Sequence, residues 1–184
     1  MEQVDHYSEV SQTFEPSIWV KGTKGGAITA LVLIVFSVLV FTTGIEALKS
    51  ANGIANYLSI IIGIILTQKA FKSENRGFMS YGQGLGLGSV LGLIAGAING
   101  AFTYIYFQFV DSTPLELIKD EAIDKLDSQN LTDDQYDQTL MIYDYIFSPA
   151  GLSLMGLVGI FLLGFVFSLI ISAFTKERDP ELEY

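Results

Sequence analysis

Four long uncharged apolar stretches, separated by short polar segments, dominate the pattern of the chain. They cover residues 25–45, 53–68, 84–109 and 150–174. An α-helix of roughly 20 apolar residues crosses the hydrocarbon core of a bilayer, which is about 30 Å thick. Three of the stretches reach that length, and the second lies near the lower limit. The pattern predicts an all-α integral membrane protein, a four-helix bundle whose first span is an uncleaved targeting signal.

Between the third and fourth stretches, the polar pattern changes to that of two amphipathic helices. The segment 112–114 has a capping hydroxyl before a proline, and a helix is predicted over 114–127. A second helix begins at Thr132, with Gln135 at the capping-box spacing. The apolar residues of each helix share one face, and the predicted partner surface on these faces consists of Leu115, Ile118, Leu126, Tyr136, Leu140 and Tyr143. We predict an external amphipathic helical hairpin whose apolar faces meet each other, the bilayer surface or a partner protein.

Lysines and arginines predict the orientation, since positive residues in short loops beside a span resist translocation. Seven lie on one side of the predicted spans, namely Lys21, Lys24, Lys69, Lys72, Arg76, Lys176 and Arg178. Three lie on the other, namely Lys49, Lys119 and Lys125. Both termini are therefore expected in the cytoplasm and the hairpin outside a bacterial inner membrane. The predicted order is a cytoplasmic acidic tail (1–20), spans one to three (21–110), the external acidic hairpin (111–149), span four (150–175) and a cytoplasmic tail (176–184).

Composition narrows the classes of function. Half of the residues are hydrophobic and 16% are charged, whereas soluble domains carry about 25% charged residues. The net charge of −10 comes from acids in the termini and the hairpin. The absence of cysteine excludes disulfides, thiolate metal sites and a cysteine nucleophile. The spans contain no ionisable residue of the kind that carboxylate-relay transport and intramembrane proteolysis require. We expect no catalytic residue, no metal site, no cofactor and no nucleic-acid partner.

Glycine recurs at every fourth position of the third predicted span, at Gly84, Gly88, Gly92, Gly96 and Gly100. Without a β-carbon, each position lets a neighbouring helix backbone approach closely, and such packing replaces the hydrophobic drive that lipid removes. Four residues turn about 400°, so the stripe drifts by roughly 40° per step and is able to serve two neighbours in succession. The sequence leaves three interpretations open: packing inside one bundle, homo-oligomerisation, and a pore or substrate groove.

Other small and polar residues bear on this packing. The second span offers a row of Ala55, Ser59, Gly63 and Thr67, and the fourth offers Gly156, Gly164, Ser168 and Ser172. Asn99 is strongly polar, lies near the middle of the third span and is next to the glycine stripe. It either forms an interhelical hydrogen bond that stabilises the bundle or contacts a ligand.

The segment from the inner loop through the third span, FKSENRGFMSYGQGLGLGSVLGLIAGAINGAFTYIYFQFVD, carries a family resemblance. Its aromatic-glycine entry, Tyr81-Gly82, leads into the glycine run, and Ser148-Pro149 precedes the fourth span. In these features the chain resembles the uncharacterised four-helix membrane proteins of Bacteroidetes grouped as domain of unknown function four-one-nine-nine. The outer boundary departs from the family pattern, because Asp111 is separated from Pro114 by two residues. The resemblance covers about 25–176 and implies an inner-membrane address without an activity.

The sequence supports three hypotheses about function. The first is a non-enzymatic inner-membrane protein that serves as a structural or interaction partner of an envelope complex and presents its hairpin or a helix face. The alternative is a small channel or exporter subunit that self-associates through the glycine stripe. An enzyme acting on lipid or peptidoglycan would need acids or nucleophiles that converge at an interface, and the sequence shows no such set.

Overall fold

The computed structural model describes residues 16–43, 45–129 and 131–177. This part of the chain forms six α-helices and no strand. They are α1 (Ile18–Thr43), α2 (Glu46–Glu74), α3 (Tyr81–Ile105), α4 (Thr113–Asp127), α5 (Asp133–Ile146) and α6 (Pro149–Thr175), and a π-helical segment (Tyr106–Val110) prolongs α3. Four of the helices, α1, α2, α3 and α6, are long and apolar enough to cross a membrane. The predicted all-α, multi-pass membrane fold is confirmed. Of the predicted tails, 1–20 and 176–184, residues 1–15 and 178–184 lie outside the described residues.

Helix α1 begins before the uncharged stretch that predicted it, and α2 extends beyond its stretch at both ends. Helix α1 starts at Ile18, within the segment predicted as a tail, and α2 runs to Glu74, six residues beyond the predicted end of its span. Charged residues near the boundary do not end these helices, since long lysine side chains carry their ammonium groups out of the apolar layer. Lys21 of α1 forms an ion pair with Glu74 of α2, so the two extensions stabilise each other.

Helix α3 is the centre of the bundle. It packs most extensively against α6 and next against α1, while α2 completes the bundle through smaller contacts with α1, α6 and α3. One cluster of the buried core consists of Ile60, Ile64 and Leu91, packed against side chains of α6. Large apolar side chains on the outer faces are exposed, such as Leu31, Val35, Leu66, Leu162 and Phe174. Such an inverted surface is what a lipid bilayer requires of the helices that cross it.

Helices α4 and α5 form an antiparallel hairpin over one end of the bundle, which we call the hairpin end. The Lys119 Nζ and the Asp144 Oδ1 form an ion pair at 2.7 Å, and the Tyr136 hydroxyl donates to the Asp127 carboxylate at 2.6 Å. Leu115 packs into an aromatic cluster made of Phe41, Phe102, Tyr106, Phe107 and Phe147, with Leu152. The hairpin is therefore bonded along its length and seated on the bundle at its base.

The opposite end of the bundle, which we call the turn end, is fastened by the connection between α2 and α3. Arg76 and Gly77 adopt positive φ angles of 53° and 91° and reverse the chain. Met79 and Glu177 then form an antiparallel bridge with N···O distances of 2.9 Å and 2.8 Å. The Lys72 ammonium binds the Glu177 carboxylate at 2.6 Å and the carbonyl oxygen of Thr175 at 3.2 Å. These bonds join α2, α3 and the end of α6.

Candidate functional site

The glycine stripe of α3 lies against α6 along its whole length. A β-carbon added at Gly96 would lie 2.6 Å from the Leu157 carbonyl oxygen, and one added at Gly92 would lie 3.2 Å from the Gly164 α-carbon. The remaining stripe glycines face small residues: Gly84 faces Ser172, Gly88 faces Ser168 and Gly100 faces Ser153. The contact positions on α6 also recur about every four residues, so the two rows follow each other in spite of the drift. One neighbour, rather than two in succession, occupies the stripe.

The small residues of α2 and α6 divide between two interfaces. Gly164, Ser168 and Ser172 of α6 face the α3 stripe, whereas a β-carbon at Gly156 would meet nothing within 4 Å. In α2, Gly63 and Thr67 face α1 rather than α3. The sequence predicted that both rows of small residues pack against the α3 stripe. Small residues at helical spacing indicate close packing, but they do not identify which helix is the neighbour.

A second glycine pair, which sequence reasoning missed, joins α1 to α3. Gly22 and Gly26 of α1 receive the side chains of Val90 and Ile94. The small-xxx-small spacing of this pair is visible in the sequence and is a known signal for close helix packing. The face of α3 that meets α1 thus carries larger residues, and the glycines are on the partner helix.

A buried polar network near the turn end links α2, α3 and α6. The Gln68 Nε2 donates to the Gly84 carbonyl oxygen at 3.1 Å and to the Ser172 Oγ at 2.9 Å, and the Thr175 hydroxyl donates to the Gln68 Oε1 at 2.7 Å. The Ser168 hydroxyl also donates to the Gly84 carbonyl oxygen, at 2.9 Å. Gln68 was predicted to end its span, but α2 continues and places it inside the bundle. Its amide is fully used in joining helices.

Asn99 lines a cavity of about 230 Å³. The other polar side chains in its wall are Ser37 of α1 and Asn56 and Tyr57 of α2, and α6 contributes Gly156, Gly159, Ile160 and Leu163. The Oδ1 atom of Asn56 is buried and has no hydrogen-bond partner among the described residues. The cavity thus brings together Asn99, which sequence reasoning singled out, and Asn56, which it did not.

The hairpin turns most of its predicted partner surface inward. Leu115 and Leu126 are buried, Tyr136, Leu140 and Tyr143 are half-buried, and only Ile118 of the six is exposed. The reason is that α5 packs back on α4 while Leu115 enters the aromatic cluster at the bundle end. The apolar side chains that the hairpin exposes are instead Leu117, Ile118, Met141, Ile142 and Tyr145.

Charge is the other property of the hairpin surface. Residues 111–149 contain ten carboxylates and two lysines, and one of these lysines, Lys119, is bound to Asp144. The hydrogen bond that Tyr136 donates to Asp127 raises the pKa of the Tyr136 hydroxyl. Bonds from the Thr113 side chain and backbone lower the pKa of Asp111. The bonds from Thr113 therefore favour the ionised form of the Asp111 carboxyl. Among the described residues, no three or more His, Cys, Asp or Glu side chains are grouped to hold a metal ion.

A protein-family model matches most of the chain. The model is described as "Protein of unknown function (DUF4199)", and it matches residues 24–177, which include the hairpin and the membrane helices except for the first six residues of α1. No curated protein and no solved structure matches the chain.

Proposed function

Because the chain belongs to the DUF4199 family of proteins of unknown function, we propose its function from geometry: it is a non-enzymatic protein of the bacterial inner membrane that binds a basic segment of an envelope protein through α5 of its hairpin. The observation that carries this proposal is the hairpin itself. It is a folded acidic projection from a bundle that is otherwise suited to lipid.

The exposed side of α5 combines acidic and apolar groups in the way a docking surface needs. Asp137, Met141 and Tyr145 recur at four-residue spacing and share one face of the helix. Met141 and Tyr145 are exposed by 72% and 75% of their surface. Methionine and tyrosine are enriched in protein interfaces, and carboxylates around them attract a basic partner and fix its register.

The conformation of the hairpin is also stabilised by bonds within the chain, in the absence of a partner. The Tyr136–Asp127 and Lys119–Asp144 bonds join its helices, and Leu115 joins it to the bundle. A preformed surface loses less conformational freedom on binding than a flexible loop, which favours affinity. The excess of lysine and arginine at the turn end supports a hairpin on the outer side of the membrane.

A photo-crosslinking residue placed at Met141 in intact cells tests the proposal. We expect a crosslink to one protein through a segment rich in lysine or arginine. Neutralising Asp133, Asp134 and Asp137 to asparagine should weaken that crosslink at least fivefold, and added salt should weaken it as well, since salt screens exposed charges. A matched control neutralises Asp120, Glu121 and Asp124 on α4, which changes the net charge equally. An equal crosslinking yield with and without the α5 carboxylates would refute the proposal, and so would crosslinks to lipid alone.

The alternative function, a channel or exporter subunit that self-associates through the glycine stripe, meets a steric obstacle. Helix α6 already covers Gly84 to Gly100, so an oligomer through this face would first have to displace it. A self-associating bundle would instead use an exposed face of α3, such as that of Leu93, Ala97 and Ala101. Single cysteines at these three positions would report such contacts as disulfide crosslinks in the membrane, because the chain has no other cysteine.

A further inference from the structure

The cavity lined by Asn56 and Asn99 lies deep in the membrane and is independent of the hairpin surface. Asn99 is eleven residues from Val110, which ends the third candidate span. At a rise of 1.5 Å per residue this is about 16 Å, or roughly half of a 30 Å hydrocarbon layer. Asn99 therefore places a hydrogen-bonding group of the cavity near the middle of the bilayer, where unsatisfied polar atoms are costly.

The available oxygen atoms of Asn56 and Ser37 in the cavity wall are hydrogen-bond acceptors, so an occupant would act as the donor. The Asn56 Nδ2 donates to the Asn52 Oδ1 at 3.3 Å, and the buried Asn56 Oδ1 has no hydrogen-bond partner in the part of the chain that the structure describes. The Ser37 hydroxyl donates to the Leu33 carbonyl oxygen at 2.9 Å, so its lone pairs remain available as acceptors. Apart from the Tyr57 phenol, the lining contains no ionisable side chain. The chemistry fits an uncharged molecule with O–H or N–H groups.

Glycines keep the cavity open on its hairpin side. A β-carbon at Gly53, Gly156 or Gly159 would meet nothing within 4 Å among the described residues. On the turn side the space is closed by the buried core around Ile60 and Ile64. The turn side is thus packed with large apolar side chains, whereas three of the residues that line the remainder of the cavity are glycines.

The size of the cavity decides the class of occupant. Its volume is about 230 Å³, whereas sites for drug-sized ligands range from about 300 to 1,000 Å³. A water molecule takes about 30 Å³ in the liquid, so roughly seven would fit. We propose that the cavity is a hydrated site, open towards the hairpin end, in which water or a small uncharged solute donates a hydrogen bond to the Asn56 Oδ1.

Cysteine accessibility in oriented proteoliposomes tests this proposal. A thiol reacts with a charged, membrane-impermeant methanethiosulfonate as the thiolate, which forms in water and not in lipid. The reagent should modify the thiol of Gly159→Cys at least tenfold faster than that of Val158→Cys. Val158 lies on the outside of the same helix, where its side chain is 43% exposed. The reaction should be faster when the reagent is added at the hairpin side. Since a side chain at Gly159 meets nothing within 4 Å, the variant should fold, and Gly156→Cys offers the same readout.

A second test of the proposal removes the hydrogen-bond acceptor, the Asn56 Oδ1. Asn56→Leu in the Gly159→Cys background should slow modification at least fivefold, because an apolar wall disfavours water. Gln138→Leu, at an exposed position of the hairpin, should leave the rate unchanged. Equal rates for Gly159→Cys and Val158→Cys would overturn the proposal and indicate a dry or lipid-filled cavity. Faster reaction from the turn side would overturn the assigned direction of opening.

Discussion

Replacing Gly96 by alanine tests the close packing of α3 on α6. The added β-carbon would lie 2.6 Å from the Leu157 carbonyl oxygen and 3.3 Å from the Leu157 α-carbon, so backbone atoms of α6 must move. Overpacking of this kind costs about 1–3 kcal/mol. Alanine also favours a helix over glycine by about 1 kcal/mol, which offsets part of that cost. The net destabilisation of Gly96→Ala should therefore lie between about 0 and 2 kcal/mol.

Gly159→Ala is the matched control, because it adds the same methyl group to α6 where nothing lies within 4 Å. It should gain helix propensity without a clash. The difference between the two variants isolates the overpacking and should be about 1–3 kcal/mol. Reversible unfolding in mixed micelles, titrated with a denaturing detergent and followed by a distance probe between α3 and α6, measures it. Free energies of unfolding that agree within about 0.5 kcal/mol, the range of inert surface changes, would refute the packing that we describe.

Two further predictions concern the polar contacts. Gln68→Leu removes three interhelical hydrogen bonds; at about 0.6 kcal/mol for each such bond in a membrane, it should destabilise the bundle by about 2 kcal/mol in the same unfolding assay. No loss relative to the exposed control Gln138→Leu would contradict the network. In the hairpin, the hydrogen bond to Asp127 raises the pKa of Tyr136 above 10.0. Because the folded-state pKa is the higher one, this contribution to stability is present below pH 10 and is lost as the pH rises through the folded value. The difference in absorbance between the wild type and Tyr136→Phe should show the titration of the Tyr136 hydroxyl. Asp127→Asn should lower the pKa of that hydroxyl, and an unchanged pKa would contradict the assigned bond.

The membrane spans were predictable because hydropathy accumulates over a whole helix and does not depend on which residues touch. The ends of α1 and α2 were less so, because Lys21, Lys69 and Lys72 continue their helices beyond the apolar stretches. The glycine stripe was visible in the sequence, yet its partner was not, since periodicity identifies a face and not the neighbour that fills it.

The cavity and the exposed side of the hairpin required the structure for a different reason. Asn56 reads in the sequence as an ordinary polar residue near the start of a span, and its unpartnered oxygen arises only from the arrangement of four helices. Likewise, the apolar face of α4 and α5 is periodic, but its burial depends on the aromatic cluster beneath Leu115. Such features arise from tertiary contacts that a local pattern does not contain.

The interhelical polar bonds of α2 are concentrated near the turn end. The three hydrogen bonds of Gln68 and the ion pair of Lys72 lie in its last two turns, whereas a β-carbon at Gly53, near its start, would meet nothing within 4 Å in the described part of the chain. Gly53 is about 22 Å from Gln68 along the helix, so a tilt of about 5° about Gln68 moves it by about 2 Å, while Gly63 moves by less than about 1 Å. Any rotation of α2 about this bonded end would therefore move Gly53, a wall residue of the cavity, further than it moves the residues beside Gln68.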